Sequence, residues 1–114
     1  MQTKIFVRTQ FEGFHSYINA PEQVKYLRDL HRHIFHVEIT MTVFHDDREI
    51  EFIMLKNDVN TYLDVLKNTN HSCEQYAELI LNYIENMYST KEKHRYISVS
   101  VSEDNENGAI VSND

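Results

Sequence analysis

Between Leu30 and His45 the chain alternates without a break. Phe35, Val37, Ile39, Met41 and Val43 hold one parity, and Glu38, Thr40 and Thr42 hold the other. A period of two is the mark of a strand with one dry face and one wet face. Such a row of apolar side chains needs neighbouring strands and a covering layer, which excludes disordered and all-helical architectures. Lys4 to Phe11 repeats the pattern through Ile5, Val7, Thr9 and Phe11, and Arg95 to Glu103 repeats it through Ile97, Val99 and Val101. His45-Asp46-Asp47-Arg48 reads as a polar turn leading into a further strand, Glu49 to Ile53, so a hairpin is predicted there. In the polar tail from Asp104, Ala109-Ile110-Val111 reads as a short edge strand.

The middle of the chain changes period. Leu55, Val59, Tyr62, Leu63 and Leu66 fall on one stripe of a helix, which Asn68-Thr69-Asn70 breaks. Ser72 and Gln75 have the spacing of a capping box and open a second helix, with Tyr76, Ala77, Ile80, Tyr83, Ile84 and Met87 on its apolar face. Residues 16–29 contain the only proline and read as a long connection with a short helical turn. The order is strand, loop, hairpin, two helices, strand. It predicts an α+β fold over residues 1–114 as a single domain: a four-stranded antiparallel sheet with two helices packed on one face. The uncovered sheet edges give a reason to oligomerise edge to edge.

Composition narrows the partners. A net charge of −7 and no basic cluster exclude a nucleic-acid backbone, and no apolar run approaches the length of a membrane span. The first residues alternate rather than forming an apolar run, which speaks against a signal peptide. Cys73 is the one cysteine, so no internal disulfide forms and a cytoplasmic setting is expected.

Seven histidines are many for 114 residues. His31-Arg32-His33 matters most, because residues two apart on a strand project to the same side, about 6–7 Å apart. His15 ends the first strand, which can pair with this one, and would complete a set of three imidazoles with an open fourth position, a catalytic-type zinc site. The plainer reading of the same spacing is two exposed or internally satisfied histidines. His36, His45, His71 and His94 have no partner at ligand spacing, so surface or core roles are expected for each. Glu103 continues the parity of Ile97, Val99 and Val101, which turns a carboxylate to the apolar side and demands a partner. That partner is either a local hydrogen-bond donor or the paired N–H groups of a ligand ring.

Together these residues resemble the 6-pyruvoyl-tetrahydropterin synthase family, which includes the 6-carboxy-tetrahydropterin synthases of queuosine biosynthesis. Phe11-Glu12-Gly13-Phe14-His15 is similar to that family's first-strand motif ending in a zinc histidine. Leu30-His31-Arg32-His33 with Val37-Glu38 resembles its Leu-His-Gly-His segment, and Ile50-Glu51-Phe52-Ile53-Met54-Leu55-Lys56 resembles the start of its first helix. Ser72-Cys73-Glu74-Gln75 is similar to the start of its second helix, and Val99-Ser100-Val101-Ser102-Glu103 to its last strand. The resemblance implies the tunnelling fold, with subunits joining their sheets into a barrel as a homohexamer of two trimers. It implies Zn2+ on His15, His31 and His33, and a pterin or purine-like ligand held by Glu103, with Glu74 and Ser72 lining the same pocket. It also implies a lyase acting on a pterin such as dihydroneopterin triphosphate.

The departures fall on catalysis. Where the family carries a catalytic cysteine this chain has Leu27, and where it carries Leu-Asp-His this chain has Leu63-Asp64-Val65. Arg32 replaces a glycine between the zinc histidines and is expected to narrow or recharge the pocket mouth. Asp64, His71 and His36 remain as replacement bases, and Cys73 is expected to be a small packing residue. Two functions follow: a divergent zinc-dependent synthase, or a relative that binds zinc and a pterin or purine without turnover.

Overall fold

The computed structural model describes residues 1–114. Alternation dictates two long strands, β1 (Thr3–His15) and β2 (His31–Val43), paired antiparallel in a register that sets His15 opposite His31 and Gly13 opposite His33. β3 (Ile97–Glu103) pairs with the other side of β2, and β4 (Asn107–Ser112) closes the order β1-β2-β3-β4. The odd-numbered residues of all three long rows turn inward. Phe35, Ile39, Met41, Val99 and Val101 are fully buried, under two helices that lie on this one face.

α1 (Phe52–Leu66) crosses β1 and buries Leu55, Val59, Leu63 and Leu66, while α2 (Cys73–Tyr88) covers β3 and β4. The capping box at the start of α2 forms as its spacing predicts: the Ser72 hydroxyl accepts from Gln75 N–H, and the Gln75 side chain accepts from Ser72 N–H. The helices meet through Tyr62 and Tyr83, whose rings stack 4.3 Å apart. Met87, expected on the apolar face of α2, is exposed, and Leu81 is buried in its stead. The connection 16–30 carries 3-10 turns over Glu22–Arg28 and is folded back on itself by the bond from Tyr17 N–H to the Leu27 carbonyl.

The hairpin expected at 45–53 does not form. The fourth strand of the sheet is β4, and residues 44–50 make an irregular bend with Arg48 in the left-handed region at φ 57°. Two side chains take this segment away from the sheet. Glu51 caps α1 by accepting from Met54 N–H, which turns Phe52 and Ile53 into helix. Glu49 turns inward to Arg95, a buried guanidinium that also donates to the carbonyls of Thr42 and Tyr88. The Arg95 hydrogen bonds hold the Glu49 carboxyl far below its ordinary value, at about 2, against the opposing effect of burial.

Candidate metal centre

The site forms where β1 ends, β2 begins and β3 ends. Strand pairing sets His15 beside His31, and the period of two places His33 on the same face one pleat further on. The three rings stand 4.6 to 5.1 Å apart, steeply inclined to one another, with Phe35 against His15 and His33. Gly13 makes room for that Phe35 ring: a Cβ on Gly13 would lie 2.9 Å from it. One ring nitrogen from each histidine lies within 4.8 Å of the other two. His15 is buried, and His31 and His33 are half-buried.

Each Nδ1 already has a partner. His15 Nδ1 donates to the His71 carbonyl at 2.9 Å and His31 Nδ1 to the Asp29 carbonyl at 2.8 Å. His33 Nδ1 donates to Asp104 Oδ2 at 2.6 Å. Carbonyl and carboxylate oxygens only accept, so the proton of each neutral imidazole sits on Nδ1 and each Nε2 presents a lone pair. Nε2 of His33 is buried and makes no hydrogen bond, although a Glu103 carboxylate oxygen stands 3.2 Å from it. A divalent cation is the partner that such a donor set accepts, and ring N–H groups tied to oxygen acceptors are the usual outer layer of histidine metal sites.

Glu103 reaches the same recess. Its carboxylate oxygens lie 3.5 Å from His15 Nε2 and 3.2 Å from His33 Nε2. A carboxylate there adds to the attraction for a cation, with one oxygen against His15 and the other against His33. Cys73, at the start of α2, points its thiol at Glu103 Oε1, 3.8 Å away. Burial first, then the charges of Glu103 and Glu74, push the Cys73 thiol up to about 12. It stays a neutral, packed thiol, as the sequence predicts, and is no thiolate at neutral pH.

The remaining expectations sort by position. His71 contributes its backbone carbonyl, while its ring packs edge-on against Tyr76. Ser72 spends its hydroxyl on the helix cap, and Glu74 is exposed one residue from the buried Cys73. Asp64 lies on the solvent side of α1 in an ion pair with Lys67 at 2.8 Å. His36 has the opposite parity to His31 and His33, so it projects from the other face of the sheet. Arg32 does the same. It pairs with Glu12 at 2.7 Å on the face away from the triad, which corrects the expectation that it shapes the pocket mouth. Asp104 escaped sequence reasoning, although the pair Asp104-Asn105 after the last predicted strand carries the composition of a tight hairpin turn.

No protein-family model matches the chain, and no curated protein matches it. Among solved structures it is similar to the 6-pyruvoyl tetrahydropterin synthase of Plasmodium falciparum, with a TM-score of 0.74 over 98% of both chains at 20% identity. The fold is that of a tetrahydropterin synthase. In this synthase fold the three histidines, Glu103 and the start of α2 face one recess. No helix is long and apolar enough to cross a membrane.

Proposed function

We propose that the chain is a divergent zinc-dependent protein of the tetrahydropterin synthase type, which holds Zn2+ on His15, His31 and His33 and takes a pterin against Glu103. One observation carries the reading: all three Nδ1 atoms are engaged by oxygen acceptors, and one ring nitrogen of each histidine lies within 4.8 Å of the other two. The chemistry a zinc ion supplies in such a site is polarisation of an oxygen at its open position. Glu103 contributes orientation. Its two oxygens match the adjacent N–H groups of an amino-pyrimidine edge, so a pterin ring bound there directs its side chain toward the histidines. Glu74 and Ser72, at the start of α2, are the further candidates for the pocket wall. The assembly proposed for this reading is a cytoplasmic homohexamer of two trimers, with the recess completed at subunit interfaces.

A second reading, binding without turnover, is favoured by the residues at the positions where the resembled family carries catalytic groups. Leu27 and Val65 have no titratable group, and the only thiol is held neutral by burial and by Glu103. Asp64 and His71 are the remaining candidate bases. A positioned acid or base usually contributes about 10²–10⁴-fold, so a site without one turns over slowly or not at all. The deciding experiment uses untagged protein with measured zinc content, incubated with dihydroneopterin triphosphate and followed by chromatography. Product formation abolished by chelator and by His31→Ala establishes the enzyme. Ligand-induced thermal stabilisation with no product establishes the binder. Protein that takes up neither zinc nor a pterin refutes both.

A further inference from the structure

We propose that Asp104 is the positioning residue of this metal centre: its carboxylate locks the ring and the proton of His33 so that Nε2 faces the ion. The inference rests on the zinc reading above and concerns a residue outside the ligand set.

Asp104 is held more firmly than a surface aspartate. Oδ2 accepts from His33 Nδ1 at 2.6 Å, and Oδ1 accepts from the N–H of Ile34, the next residue on β2, at 2.9 Å. Its own N–H donates to the Ile34 carbonyl at 2.7 Å. Three bonds thus clamp one residue of the β3–β4 turn to the strand that carries two of the histidines. The backbone is committed to the same end. Asp104 and Asn105 occupy the two central positions of the turn with φ of 52° and 62°, the left-handed conformation that Asp and Asn tolerate best. The turn closes with Glu106 N–H on the Glu103 carbonyl, so the residue that reaches the recess and the residue that orients His33 are adjacent and share one hairpin.

The three histidines are therefore not equivalent. His15 and His31 lean on neutral carbonyls, and His33 alone leans on a charged acceptor. A carboxylate behind an imidazole makes the far nitrogen a stronger donor to a metal, and losing such a partner typically weakens binding about 10–100-fold.

The test is zinc affinity by chelator competition, with the visible spectrum of the Co2+-substituted protein as a second readout. Asp104→Asn keeps the turn conformation and removes the charge, and Asp104→Gly keeps the turn and removes the side chain. Both are expected to bind zinc about 10–100-fold more weakly than the unaltered chain. Both should shift the Co2+ absorption bands. The melting temperature of the metal-free protein should fall slightly in Asp104→Gly, which loses the bonds to Ile34 and His33, and less in Asp104→Asn, whose amide oxygen still accepts. Unaltered zinc affinity and Co2+ spectrum in both variants would overturn the proposal. So would a fall in metal-free stability that accounts for the lost affinity, since Asp104 would then serve the turn alone. If the unaltered chain itself takes up no zinc, it is the metal reading that fails.

Discussion

A histidine with one nitrogen committed has only one left to give, and the acceptors behind His15, His31 and His33 make that choice for all three. His31→Ala is accordingly expected to abolish stoichiometric zinc binding, measured by metal analysis after dialysis, while far-UV circular dichroism is retained. Residual zinc at the original stoichiometry would count against the triad. Glu103→Gln separates metal from ligand. It should leave zinc bound and weaken a pterin by at least about tenfold in a fluorescence titration, the loss expected for a charge-assisted pair. The clustering of the three histidines was legible in the sequence because each is fixed by strand period and strand ends. Its outer partners were not. Two are backbone carbonyls, and the third, Asp104, lies 71 residues from His33 and arrives only through the β3–β4 turn.

At the scale of elements, the strands and both helices follow from periodicity, and the helix start at Ser72 follows from its capping box. The segment 44–50 is where local pattern misleads. The five residues from Glu49 to Ile53 look like a strand, yet Glu51 is consumed as a helix cap and Glu49 by Arg95, a residue 46 positions away. No local signal announces a buried ion pair. Its contribution is predicted to be pH-dependent. The folded carboxyl titrates near 2 and its unperturbed value is 4.5, so the stabilisation is complete above about 4.5 and fades as pH falls toward 2. Urea midpoints across that range should fall more steeply for the unaltered chain than for Glu49→Gln. Equal slopes would assign the acid sensitivity elsewhere. Arg95→Met leaves Glu49 with only the Phe44 N–H and the more distant Lys93, frees the Thr42 and Tyr88 carbonyls, and is expected to cost about 3 kcal/mol by equilibrium unfolding. The hairpin β3–β4 has a narrower tolerance. A Cβ on Gly108 would stand 2.1 Å from the Val101 carbonyl oxygen, a backbone atom that cannot turn aside. Gly108→Ala should therefore detach β4, seen as lost protection of the Val99 and Val101 amides, which face β4, in hydrogen exchange. Protection equal to that of the unaltered chain would refute this.

At the scale of the molecule, the sheet has two open edges, β1 and β4, and only one of its faces is covered. The number of strands and the placing of both helices on one face were legible in the sequence. So was the edge strand around residues 109–111, which is β4. The strand expected over residues 49–53 is the one that does not form, because Glu49 and Glu51 are drawn elsewhere. Joining of edges between copies is predicted to give a mass near six chains by light scattering, whereas a monomer at micromolar concentration would leave the recess to a single subunit. The uncovered face carries Thr40, Ser98, Ser100 and Ser102, with Arg8 lying over Phe6 and paired with Glu38 across β1 and β2. Helices occupy the opposite side, so sheets rolled into a ring would turn these hydroxyls toward the axis. The inner wall of such a ring would then be wetted rather than packed, and substitution of these serines by valine is expected to make copies of the chain stick together through that wall while sparing the fold of each protomer, read as added mass in light scattering.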